Sequence, residues 1–89
     1  MPYNEQMLTR FAGLLTRGAK KYSARNFESA CTLEDIARFE SSAARHFQQW
    51  LCGETDEDHA SAVYFNIMAA EMVKYKIREA SEVKYGFTD

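Results

Sequence analysis

One proline, at position 2, and four glycines, at 13, 18, 53 and 86, are all that this 89-residue chain offers to interrupt a helix. Proline removes a helical hydrogen bond and glycine costs roughly 1 kcal/mol against alanine inside a helix. A chain this poor in both has room for long helices and little else. Met7, Leu8, Phe11, Leu14 and Leu15 recur at three- and four-residue spacing, which predicts an amphipathic helix from about Glu5 to Lys20, ending near Gly18. Residues 18–31 keep no period and read as a connection, a candidate for a functional loop.

Thr32-Leu33-Glu34-Asp35 resembles a capping box with Asp35 in the place of the usual Glu or Gln, so a second helix starts there. Its apolar positions Leu33, Ile36, Ala43, Phe47, Trp50 and Leu51 run to Gly53, a residue suited to a left-handed stop. Thr55, followed by Asp56, Glu57 and Asp58, repeats the logic: a threonine cap with acids in the first turn of a third helix. The short connection makes the second and third helices an antiparallel hairpin, with Ala60, Val63, Tyr64, Ile67 and Met68 expected to face the core. Beyond Lys76 the pattern loosens, and Tyr85 and Phe87 are expected to pack a tail. The expectation is an all-α domain spanning residues 1–89, three to four helices around a central antiparallel hairpin.

Size adds a constraint. A chain this short buries a modest fraction of its surface, and Tyr64, Phe65, Met68 and Met72 cannot all face one small core. A homo-oligomer, dimer or tetramer, is therefore expected. Eleven Lys and Arg against thirteen Asp and Glu give a net charge of -2, so no global basic field supports stable nucleic-acid binding. Cys31 and Cys52 lie 21 positions apart without zinc or CxxC spacing, and the chain opens Met-Pro-Tyr-Asn without a charged and then apolar leader. Reduced thiols and a cytoplasmic location are expected. No apolar run reaches the roughly 20 residues of a membrane span.

Several polar residues need a reason. Asp35, Ser42, His46 and Gln49 form a strip on the second helix, and His59 and Asn66, seven residues apart, share a face of the third. Near the turn between them, Glu54, Asp56, Glu57 and Asp58 place four carboxylates within five residues. Carboxylates at that density repel unless a cation sits among them, and oxygen ligands favour magnesium, manganese or calcium. The same acids also suit a solvated helix N-terminus, and the histidines also suit hydrogen-bonded structural roles. Lys20, Lys21, Arg25 and Arg45 offer contacts to phosphate. Phosphate-binding loops, dinucleotide fingerprints and nucleophile elbows are absent.

Three segments together, GAKKYSARNF at 18–27, SSAARHFQQWLCGE at 41–54 and DEDHASAVYFNI at 56–67, resemble the phage and bacterial dATP/dGTP diphosphohydrolase family. That group is similar to the all-helical MazG-type nucleotide pyrophosphohydrolases. The resemblance is carried by Gly18, Ala19, Lys21, Tyr22, Arg25 and Asn26, by Arg45-His46 with Trp50 and Gly53-Glu54, and by His59 followed by Asn66. It implies a MazG-like bundle completed by oligomerisation. It also implies cleavage of a purine deoxynucleoside triphosphate, dGTP or dATP, to monophosphate and pyrophosphate with Mg2+ or Mn2+, in a bacterial host or phage-infected cell. The chain departs from the broader MazG pattern, because Glu54-Thr55-Asp56-Glu57 is one ExxE while Glu34 and Glu40 lack a partner acid three residues on.

On that basis Glu54 and Asp58 are the expected metal ligands, with Asp56 and Glu57 in reserve. Lys21, Arg25 and Arg45 would neutralise the phosphates, and His46 or His59 would orient water or a phosphate oxygen. Asn26 and Asn66 would read base or sugar edges, and Tyr22 would stack on the base. Trp50 is expected in the core, with stacking as its alternative role. The competing reading is a non-catalytic module that keeps the fold and binds a nucleotide or a protein.

Overall fold

The computed structural model describes residues 3–21 and 26–81, with side chains for 6–17 and 27–81. It is all-helical: α1 (Tyr3–Lys21), a 3₁₀ helix (Asn26–Ser29), α2 (Leu33–Leu51) and α3 (His59–Ala80). α2 and α3 form the central hairpin, and α1 lies against α3. The tail through Tyr85 and Phe87 falls outside the described residues. Among the described residues no helix is long and apolar enough to cross a membrane. Both cysteines are free.

The start of α2 follows the expected chemistry. Thr32 Oγ1 accepts the backbone N–H of Asp35 at 3.0 Å, and Asp35 Oδ2 accepts the backbone N–H groups of Thr32 and Cys31 at 3.0 and 2.8 Å. Those two donors hold the Asp35 carboxyl below its ordinary pKa. The end of α2 is closed by a Schellman arrangement: Glu54 N–H donates to the carbonyl of Gln49 and Gly53 N–H to that of Trp50. Gly53 takes a φ of 76° there. Open space surrounds the position a Cβ would occupy, so only backbone strain opposes a side chain. Gly53→Ala is therefore expected to cost about 1–2 kcal/mol, read as a lower denaturant midpoint.

α3 departs from expectation in two ways. Its N-cap is Asp58 and not Thr55, because the Asp58 carboxylate accepts both the backbone N–H and the hydroxyl of Ser61, at 3.2 and 2.8 Å. The helix begins three residues later than the sequence pattern suggested, which leaves Asp56 and Glu57 in the turn. Its buried face is also different. Ala62, Asn66, Ala69, Ala70 and Val73 point inward, while Tyr64 and Ile67 are half exposed. Small side chains let two helix backbones approach closely, and here that outweighs the larger residues' transfer energy.

The hairpin is divided along its length. Away from the turn, Ile36 and Phe39 of α2 pack with Ala69, Ala70 and Val73 of α3 and with Ala30, and Phe27 and Phe65 close the cluster edge to face at 5.2 Å. Lys76 reaches from α3 to donate to the carbonyls of Glu28 and Ala30, which fastens the 3₁₀ segment to the hairpin. Toward the turn the buried groups are polar: His46, His59, Ser61 and Asn66. α1 is held at this end by the Phe11–Tyr64 ring contact, 4.5 Å between centroids, and by Arg10 on Asp58.

Candidate functional site

The polar end of the hairpin carries the candidate site. His59, the first residue of α3, is 2% exposed, and its ring touches one residue on each side. Nε2 lies 2.8 Å from Asp56 Oδ1, and Nδ1 lies 2.8 Å from Nδ1 of His46, which projects from α2 and is itself buried. A helix that starts at His59 puts Asp56 on the turn just before it, so the Asp56–His59 contact is local. The His46 contact is the product of the hairpin's register. Burial, followed by the charge of Arg45, pushes the His46 pKa down, while the hydrogen bond from His59 holds the Asp56 carboxyl below its ordinary value.

Glu54 joins this pair from the other side of the turn. One donor atom each from Glu54, Asp56 and His59 fall within 4.8 Å of one another. Gln49, one turn back on α2, donates its amide to Glu54 Oε1 at 3.3 Å. Its own oxygen, Oε1, is buried with no hydrogen-bond partner among the described residues. The two carboxylates are hard donors of the kind that manganese and magnesium accept, and the imidazole adds a borderline nitrogen. These residues could hold such an ion.

A cleft of about 500 Å³ opens beside the group, lined among others by Arg10, Trp50, Glu54, Glu57, Asp58 and His59. Trp50 stands 52% exposed at its wall, stacked on Phe47 at 5.9 Å. It lies outside the core where the pattern of α2 placed it, because the hairpin buries the face carrying Ile36, Phe39 and His46.

Asp58, expected to be a ligand beside Glu54, is engaged elsewhere. Beyond its cap to Ser61 it accepts Nε and Nη2 of Arg10 at 2.9 and 2.5 Å, a bidentate pair that drives its carboxyl far below the ordinary range. The ionised form is thus favoured by folding. Its contribution is complete above the unfolded value of about 3.9 and is lost as pH falls below it. Asp58→Ala is expected to cost about 1–3 kcal/mol at pH 7, for a lost cap and a lost tether of α1. Urea titrations of both proteins should show that difference shrinking below pH 4.

Of the remaining expected residues, Arg45 and Asn66 are described with their side chains. Arg45 is exposed on α2 and approaches Ser42 Oγ at 3.5 Å. Asn66 is buried and donates to the carbonyl of Ala62 within its own helix at 2.8 Å. Lys21 and Asn26 are described by backbone alone, and Tyr22 and Arg25 lie outside the described residues. Arg10 was missed by the sequence reading. Its partner is 48 residues away, and nothing in its local pattern separates it from any helical arginine.

A family model described as dATP/dGTP diphosphohydrolase, N-terminal, matches residues 4–82. The chain belongs to this family. The match covers α2 and α3 entirely and α1 from its second residue. No curated protein and no solved structure matches the chain.

Proposed function

We propose that this protein hydrolyses a purine deoxynucleoside triphosphate, dATP or dGTP, to the monophosphate and pyrophosphate, with a divalent metal held by Glu54, Asp56 and His59. The observation that carries the reading is the convergence of those three donors beside a cleft that Glu54 and His59 line and that also presents a guanidinium and an indole face. Membership of the dATP/dGTP diphosphohydrolase family supplies the substrate class. When bound, Mg2+ or Mn2+ supplies charge neutralisation on the phosphates and lowers the pKa of a coordinated water.

The chain's own groups do the rest. Glu54 and Asp56 provide the anionic charge that selects a cation. Arg10, still 41% exposed along its side chain, lines the cleft with Nε and Nη2 on Asp58 and Nη1 in a weak contact with Met7 Sδ, and Nη1 is the proposed donor to phosphate oxygens. The half-exposed indole of Trp50 offers a plane for a purine. Lys21, Arg25 and Arg45 remain proposed partners of the triphosphate, and Tyr22, Asn26 and Asn66 of the nucleoside.

A second copy completes this reading. Leu33, Ala37, Glu40, Ala44, Phe47 and Leu51 are all exposed and follow one another at 4-3-4-3-4 spacing, a seam along α2 separate from the face buried on α3. Against an antiparallel copy of itself the seam is its own complement: Leu33 meets Leu51, Ala37 receives Phe47, and Ala44 faces Glu40. A parallel copy would set Glu40 against Glu40. Lys74, 3.6 Å from Glu40, supplies the counter-charge within each chain. The antiparallel pairing brings the start of one α2, with the 26–32 segment before it, to the polar end of the other. Native Cys31 and Cys52 report on it, because α2 holds them about 28 Å apart within one chain. A short bis-maleimide should join Cys31 of one copy to Cys52 of the other, and links between like cysteines would overturn the orientation.

Purified protein incubated with each common dNTP and GTP, with Mg2+ or Mn2+, tests the activity. Monophosphate and pyrophosphate from dATP or dGTP are expected. Nucleotide-dependent thermal stabilisation without product would replace this reading with the binding module.

A further inference from the structure

The buried histidine pair is not accounted for by the donor group alone, since His46 touches His59 and is not among the residues lining the cleft. Two imidazole nitrogens 2.8 Å apart must share a proton: two lone pairs repel, and two N–H groups collide. A carboxylate can only accept, so Nε2 of His59, at 2.8 Å from Asp56 Oδ1, carries a proton. With both rings neutral, His59 protonated at Nε2 has a bare Nδ1. The shared proton therefore sits on Nδ1 of His46, and Nε2 of His46 is bare. This is the less common tautomer of histidine, fixed by a chain of contacts that starts at Asp56.

We propose that His46 is a positioning residue that acts through His59: its Nδ1 pairs with Nδ1 of His59 in either tautomer and so holds the ring with Nε2 beside the donor atoms of Glu54 and Asp56. The inference rests on the metal reading for its consequence and on geometry alone for its existence. For Nε2 of His59 to bind a cation, the arrangement must reverse: Nδ1–H of His59 donates to Nδ1 of His46, whose own proton then sits on Nε2. One proton leaves at Nε2 of His59, the shared proton crosses between the Nδ1 atoms, and one proton enters at Nε2 of His46. The pair's charge is unchanged throughout. In either state His59 keeps a buried partner, which is how an outer residue holds a ligating imidazole in orientation.

Two measurements test this without using turnover. In the ¹⁵N-labelled native chain, free of metal at pH 8, long-range ¹H–¹⁵N correlation of the imidazoles should show the Nδ1–H tautomer for His46 and the Nε2–H tautomer for His59. Finding Nε2–H on both would overturn the proposal. Mn2+ titrated alone into His46→Phe should bind about 10- to 100-fold more weakly than into the native chain, while His46→Gln, whose amide can donate to or accept from Nδ1, should recover most of the loss. Equal Mn2+ affinity in His46→Phe would overturn the positioning role. If the native chain shows the expected tautomers yet binds no Mn2+, the metal reading fails and the tautomer assignment stands, so the two are separable. Because the first measurement uses the native protein, failure of either variant to fold does not protect the proposal.

Discussion

Asp56→Asn is expected to lower metal-dependent release of pyrophosphate from dATP or dGTP by about 10³-fold or more, with Glu54→Gln close behind. Loss of an outer partner of a metal ligand commonly costs 10- to 100-fold, and Asp56 is proposed as a ligand itself, so its loss costs more. Asparagine keeps the shape and removes the charge. The side chain of Asp56 is 63% exposed, so the fold should barely notice: a surface change away from the core moves stability by about 0.5 kcal/mol or less. Initial rates from ion-exchange separation of the products, beside a thermal melt, read both quantities. The contrast with Asp58→Asn is informative, because that change falls on a cap and an Arg10 tether and should act first on stability. An active Asp56→Asn beside an inactive Asp58→Asn would return the ligand set to Glu54 and Asp58.

Val73→Asp is expected to abolish folding. Val73 is fully buried, at 0% exposure, in the cluster of Ile36, Phe39, Ala69 and Ala70, and Lys76, one turn on, is already engaged by the carbonyls of Glu28 and Ala30. An uncompensated charge in such a place costs several kcal/mol, and domains have only about 5–15 kcal/mol in total, the small ones least. Val73→Ala should lose about 2 kcal/mol and stay folded. Circular dichroism at 222 nm with urea titration distinguishes the two, and a helical Val73→Asp would mean that the hairpin's core lies elsewhere.

The fold was largely written in local signals. Scarce breakers gave the helices, Thr32 with Asp35 gave the start of α2, and Gly53 gave its stop, because each acts within a few residues. The face of α3 was not legible. That helix carries apolar residues nearly all round, so a 3.6-residue period cannot choose among Tyr64, Ile67 and the small Ala69 and Ala70, and close approach decided it. The site was legible in part. Its neighbourhood followed from the acid density at 54–58, but two cap candidates three residues apart, Thr55 and Asp58, compete for one helix start, and the choice settles which acids are free. The Asp56–His59 spacing was within reach of the same reasoning that places a cap. The His46 and Arg10 contacts depend on how separate helices register, which no local pattern encodes.

The division of the hairpin into an apolar end and a polar end has an evolutionary consequence. The apolar contacts of the hairpin gather around Val73, while the groups proposed to face a ligand gather around His59, 14 residues away along the same helix. Substitutions at Glu54, Asp56 and Glu57, which leave the Gly53 stop and the Asp58 cap intact, can therefore be sampled without first being compensated in the core. Such a scaffold can drift between substrates, or lose its chemistry and survive as a receptor, while its architecture stays recognisable.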